Sequence, residues 1–215
     1  MDKPGQKNIK QTNTFPGKTR SILKIMSTTL DKNIKELLQQ GTVIPAHPLA
    51  LNQHLLLDEQ RQRLLTRYYI ASGAGGVAVG VHTTQFEIRQ PEINLLDPVL
   101  KIADEKNKKA QLDRPFIKVA GICGSTDAAI GEAELAVKYG YHLGLVSMGG
   151  LASYSEKELI KRVEAVSEII PVLGFYLQPA VGGRVLSYEF WKDFAEISNV
   201  QAIKVAAFNR YQTLD

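Results

Sequence analysis

Val200-Gln201-Ala202-Ile203-Lys204-Val205-Ala206-Ala207-Phe208 places a lysine inside a run that is apolar but for Gln201. A run of this composition reads as a strand of a sheet core. A second such run, Ile170-Pro171-Val172-Leu173-Gly174-Phe175-Tyr176-Leu177-Gln178-Pro179, carries Tyr176, 28 positions before Lys204. An ammonium in an apolar strand is costly to desolvate, so it is paired or shifted toward the neutral amine. A neutral amine attacks carbonyl carbon, which is the first step of Schiff-base chemistry. The plainer alternative is a lysine whose stem lies along the strand while its head reaches solvent.

Working back toward the N-terminus, one pattern repeats: short apolar strand, turn, amphipathic helix, Gly or Pro, next strand. The predicted strands are Thr42–Leu51, Gly76–Val81, Phe116–Ile122 and Tyr141–Ser147, followed by the two already quoted. Helices are predicted near Asp31–Gln40, Asp58–Ser72, Asp97–Lys109 and Ser125–Tyr139. Ser155-Glu156-Lys157-Glu158 is a capping box, and Leu159, Val163, Val166 and Ile170 then share one helical face. Ser187 is placed to cap a helix carrying Phe190, Trp191 and Phe194. Strands alternating with helices imply an α/β fold with a parallel sheet, either a doubly wound open sheet or a barrel.

Composition narrows the function classes. The chain has 215 residues and is 44% hydrophobic, enough for a sizeable core. It contains no run of about 18 apolar residues, so no membrane span is expected. A single cysteine, Cys123, excludes an internal disulfide framework and suits a reducing cytoplasm. Of the net charge of +4, residues 1–27 contribute Lys3, Lys7, Lys10, Lys18, Arg20 and Lys24 against Asp2, leaving 20 basic and 21 acidic residues in the remainder. The folded part is therefore electrically balanced, with no argument for nucleic acid. Residues 1–28 read as a disordered basic segment, and Met26 is an alternative start.

The spacing Y-x-x-P followed by I-K, here Tyr176–Pro179 and Ile203-Lys204, resembles the dihydrodipicolinate synthase / N-acetylneuraminate lyase family of class I aldolases. The resemblance implies a (β/α)8 TIM barrel, of which residues 29–215 supply about six β/α units. An incomplete barrel is therefore expected, or a six-unit variant completed by a partner chain. It further implies that Lys204 forms the imine with pyruvate or another 2-oxo acid and that Tyr176 shuttles protons. Gly80-Val81-His82-Thr83-Thr84-Gln85-Phe86-Glu87 stands where the family has G-T-T-G-E, so Thr83 and Thr84, with His82 beside them, would cradle the substrate carboxylate. Glu87 is a weak substitute for the displaced acid. No cofactor is implied, because the imine replaces the metal of class II aldolases, and a homo-oligomer is the common family state.

Two departures bear on the substrate. The family's synthases carry an arginine five positions after the tyrosine, where this chain has Val181, with Arg184 as the nearest cation. They also carry a tyrosine pair after strand four, where this chain reads Ser147-Met148-Gly149-Gly150 and has no tyrosine until Tyr154. Both argue against lysine biosynthesis and leave the 2-oxo acid unassigned. A non-catalytic truncated barrel and a metal-dependent barrel enzyme using His47 and His82 are the competing readings. Gly73-Ala74-Gly75-Gly76 follows a helix and precedes a strand, the reverse of a dinucleotide loop, so it reads as a cap and turn. Cys123 has no activating base beside it and reads as an inert thiol.

Overall fold

A computed structural model describes residues 29–81 and 83–214, with side chains for all of these except 83–85, 212 and 214. The basic segment 1–28 and His82 therefore lie outside the described residues. Five parallel strands form one sheet in sequential order: β1 (Gly76–Val79), β2 (Ile117–Ile122), β3 (Leu143–Ser147), β4 (Val172–Leu177) and β5 (Val200–Ala206). Helix α1 (Lys32–Gln40) and α2 (Glu59–Ala71) precede the sheet. α3 (Leu96–Ala110), α4 (Thr126–Lys138), α5 (Glu156–Ser167) and α6 (Tyr188–Glu196) connect successive strands, and α7 (Arg210–Leu214) follows β5.

The strands are apolar on both faces, and their two parities enter different cores. Val77, Val79, Ala120, Ile122, Val146 and Val172 pack with α3–α6 through residues such as Leu100, Ala133, Val163 and Phe194. Ala78, Ile117, Val119, Leu143, Leu145, Leu173, Phe175 and Leu177 form the second core, which α1 enters through Ile34, with Leu37 and Leu38 packed against it. Every crossover helix thus lies on one face, as sequential strand order with same-handed crossovers requires. A doubly wound sheet would reverse order and carry helices on both faces. The chain is therefore part of a (β/α) barrel, with α1 closing one end of its inner face. Asp31 starts α1 where predicted, accepting from the N–H groups of Asn33 and Ile34. No helix among the described residues is long and apolar enough to cross a membrane.

One predicted element changes character. Thr42–Leu51 is not a sixth strand: it touches β1 through a single parallel bridge, Ala46 to Ala78. Among the described residues three backbone bonds join the segment to the β1 region, His47 N–H to Ala78 O, Ala78 N–H to Pro45 O and Gly75 N–H to Val43 O. Pro45 and Pro48 have no N–H to donate, so a longer ladder cannot propagate. Side chains take over. Buried His47 places Nε2 2.9 Å from Thr66 Oγ1 and Nδ1 2.9 Å from Gln62 Nε2, both on α2, while Gln62 Oε1 accepts from Ala50 N–H.

The deeply buried lysine of the sheet is Lys118, 4% exposed. It faces the helix layer, where Nζ donates to Asp104 Oδ1 at 2.6 Å and to Tyr139 O at 3.0 Å. Burial pushes its pKa down, against the pull of Asp104. Beside it, His142 Nδ1 accepts the Lys118 backbone N–H at 3.0 Å, which holds the imidazole neutral on that nitrogen. Burial, aided by the nearby Lys118 charge, lowers the His142 pKa to about 4. Its stabilising contribution is complete above the unfolded value near 6.5 and declines as pH falls toward 4. Urea unfolding should lose up to about 3 kcal/mol across that window from this group. His142→Asn, which keeps an acceptor for Lys118 N–H, should flatten that part of the profile; an unchanged slope would remove His142 as its cause.

Candidate active site

Polar side chains gather where the strands end. Beyond β1, residues 83–89 form a 3-10 helix whose last residue is Arg89. Arg89 Nη2 donates to Gly80 O and Gly121 O at 3.2 and 3.0 Å, and Nε pairs with Glu132 Oε1 at 2.8 Å. Glu132 Oε2 accepts the Cys123 N–H. One ion pair therefore clamps the ends of β1 and β2 and fixes where the Thr83-Thr84 turn begins. The approach is close enough that a Cβ on Gly121 would stand 2.2 Å from Gly80 O. Burial raises the Glu132 pKa, with Arg89 opposing it. The sequence reading missed Arg89 and Glu132. The available signal was helical spacing, because Glu132 sits on the stripe of Ala129, Ala133 and Ala136.

Lys204 and Tyr176 occupy adjacent strands but opposite faces. The β4–β5 ladder opens with Val172 beside Val200, then shifts to Leu173 beside Ala202, leaving Gln201 without a partner. Such a bulge reverses which side chains face the same way. Beyond it, Phe175 pairs with Lys204 and Tyr176 with Val205. Phe175 belongs to the inner core, and Lys204 Nζ lies 4.8 Å from its ring centroid. Tyr176 instead packs on Trp191 of α6, ring centroids 5.4 Å apart, and with Ile203 lines a cavity of about 490 Å³ on the helix side. The expected Lys204–Tyr176 pair is thus divided by the sheet. Lys204 is exposed, not buried as an apolar strand suggests, because the outer edge of β5 is unpaired among the described residues. Partial desolvation still lowers its pKa.

The other predicted residues are placed as follows. Thr83 and Thr84 lie in the turn after β1, at the opposite edge of the sheet from β5, and their side chains, like all of His82, lie outside the described residues. His47 bonds to Thr66 and Gln62 of α2, and His82, with which it was expected to share a metal, lies outside the described residues. Among the described residues no group of three or more metal-ligating side chains occurs. Arg184 Nη1 donates to Tyr154 O at 2.8 Å, tying two loops together. Glu87 is exposed. Cys123 is buried, and burial pushes its thiol up to about 11, consistent with inertness. Lys204 shares a cavity of about 610 Å³ with Val205, Ala206, Phe208, Arg210 and Thr213, and among the described residues no acid lines it.

No protein-family model matches the chain. No curated protein matches it either. Solved structures do. A dihydrodipicolinate synthase from Bacillus anthracis aligns with a TM-score of 0.66 at 19% identity, over 80% of this chain and 57% of that one. N-acetylneuraminate lyase from Mycoplasma synoviae gives 0.64 at 19%, over 80% and 56%. The sialic acid aldolase of Ruminococcus gnavus gives 0.61 at 19%, over 76% and 53%. At these identities the likeness is one of fold, and the chain spans little more than half the length of the structures it matches.

The environment of Lys204 carries its own test. Reductive methylation with ¹³C, followed by NMR across pH, should give the Lys204 resonance a midpoint below the ordinary 10.5. A midpoint at or above that of exposed Lys157 would mean that the Phe175 face does not desolvate the amine.

Proposed function

We propose that this chain carries the imine-forming part of a lyase of the dihydrodipicolinate synthase / N-acetylneuraminate lyase type, acting on a 2-oxo acid such as pyruvate. The observation that supports it most directly is Lys204 itself: a lysine of lowered basicity, on the inner face, near the C-terminal end of a barrel strand. Barrel enzymes place their chemistry at that end. A lowered pKa raises the fraction of free amine at neutral pH, and free amine is the nucleophile.

The chemistry then follows in order. Lys204 Nζ adds to the keto carbon, the carbonyl oxygen takes the two amine protons and leaves as water, and one proton from solvent converts the resulting imine to its protonated form. That cation accepts the electron pair released when an adjacent C–C bond breaks or an α-proton leaves. Thr83 and Thr84, with His82, are the proposed substrate-binding groups on the turn after β1. Their hydroxyls and backbone N–H groups suit oxygen ligands. Tyr176 is proposed by resemblance as the proton shuttle, but in this register its ring faces α6. Shuttling therefore requires an arrangement of β4 and β5 other than this one, whereas imine formation requires Lys204 alone.

A second reading, a barrel portion without activity of its own, draws on one observation. The open edge of β5 exposes Val205 at 48% and Phe208 at 83%, a liability that proteins normally cover. Borohydride trapping with pyruvate, read by peptide mass spectrometry, separates the two. The expected result is a reduced pyruvyl adduct on Lys204, absent in Lys204→Arg. No adduct on a chain that unfolds cooperatively would sink the imine assignment for pyruvate. Tyr176→Phe should leave the adduct yield within about twofold, since a general acid–base group typically contributes about 10²-fold or more. A tenfold loss would put the tyrosine on the lysine's side of the sheet.

A further inference from the structure

We infer that Arg89 and Glu132 are a positioning pair that sets how tightly the turn bearing Thr83 and Thr84 holds the substrate carboxylate. This inference rests on the imine reading above and on the carboxylate role proposed for that turn, and adds two residues that act through it. The turn opens a 3-10 helix of seven residues, Thr83–Arg89. Helices of this type seldom run beyond three or four residues, because their hydrogen bonds are poorly aligned, so this one depends on anchors outside itself. Both anchors lie at its far end. Ile88 is 3% exposed in the core shared with α3, and its backbone oxygen accepts from Leu95 N–H at 2.8 Å. Arg89 Nη2 donates to Gly80 O at 3.2 Å, so one side chain ties the end of the segment back to its start and closes a loop around Thr83 and Thr84.

The loop is then fixed to the barrel. Nη2 also donates to Gly121 O at 3.0 Å, and Nε donates to Glu132 Oε1 at 2.8 Å on α4. Glycine clears the space: a Cβ on Gly121 would stand 3.2 Å from Nη2. Glu132 is itself held, accepting Cys123 N–H at 2.9 Å, and each side chain of the pair is 13% exposed. Glu132 neutralises the guanidinium, and Nε and Nη2 are spent on protein oxygens, so Arg89 acts through the turn. Binding groups must be held within about 0.5 Å of their productive geometry, so a loop released from this clamp would lose the carboxylate without touching the amine. The clamp joins β1, β2 and α4, on the barrel end where such enzymes bind substrate.

The test follows reductive trapping on Lys204 against pyruvate concentration, with acetone, which has a methyl group in place of the carboxylate, as the control ketone. In each case the amine adds to the carbonyl carbon and water leaves. Cyanoborohydride then delivers hydride to the imine carbon while solvent protonates the nitrogen, giving a secondary amine. In Arg89→Met the half-saturating pyruvate concentration should rise roughly 10–100-fold, the worth of one hydrogen bond to a charged group. The limiting rate and the acetone rate should stay within about twofold, as loss of binding alone requires. Arg89→Lys, which keeps the charge but not the planar fork, should recover part of the loss. Glu132→Gln, which keeps an acceptor for Cys123 N–H, should move pyruvate the same way, and it decides the matter if Arg89→Met does not fold. An unchanged half-saturation overturns the inference, as does an equal fall with both ketones, the mark of a purely structural clamp, or a native chain that does not saturate with pyruvate. If the native chain traps neither ketone, the imine reading fails instead. The pair is then decided in Lys204→Met chains by pyruvate titration of the Thr83 and Thr84 amide resonances. A saturable shift that Arg89→Met weakens supports the pair; no shift, or the same shift in both, overturns it.

Discussion

A parallel sheet buried on both faces needs apolar cover twice, and here the crossover helices supply it on one side only. Sequential strand order sends α3 through α6 to the same face. The inner face is left to its own strand residues, to α1 and to the segment around Ile44 and Ala46. That constraint bends the architecture toward a barrel, makes α1 part of the core, and brings the strand ends together around one mouth. It also explains why β1–β4 read as nearly continuous apolar runs: both parities are buried there, whereas β5 lies at the open edge.

Charged groups interrupt this core where elements must be held in fixed relation. Asp104 meets Lys118 across α3 and β2, Glu132 meets Arg89 at the ends of β1 and β2, and buried Arg162 donates Nε–H to Gly124 O beyond β2. Asp104 is drawn up by burial but held below the ordinary carboxylate range by Lys108 and Lys118. Such pairs add little net stability over an apolar packing and are costly to break singly. Their effect here is positional. Lys118 and Lys204 differ in setting: the first has a carboxylate within 2.6 Å, whereas the second has an aromatic face and a cavity that no acid lines among the described residues.

The helix boundaries were legible because their signals are local. Asp31, Asp58, Ser125, Ser155 and Ser187 each cap the helix that the sequence assigns to them. The segment 42–51 misled for an equally local reason. Its apolar letters promise a strand, but Pro45 and Pro48 withhold the donors a ladder needs, and His47 serves α2 instead. Buried charges on apolar stripes, such as Glu132 and Asp104, were visible as exceptions to the helical pattern. Their cross-element ion-pair partners were not visible, since Arg89 lies 43 and Lys118 14 positions away; only Lys108, one turn along α3 from Asp104, is local.

The sequence by itself determined the alternation of strands and helices, their polarity and caps, and hence an α/β fold with a parallel sheet, because these depend on residues a few positions apart; the sequential strand order that puts the crossover helices on one face is tertiary. Which side chains stand together at the mouth was decided only by the tertiary structure. The spacing of Tyr176 and Lys204 would set them side by side in an unbroken ladder. One unpaired residue, Gln201, shifts the β4–β5 register and sends the two to opposite faces. The turn at Phe208 likewise sets Arg210 on the wall of the cavity that Lys204 also lines. Strand register is fixed by hydrogen bonds between chains distant in sequence, and a shift of one residue inverts every facing.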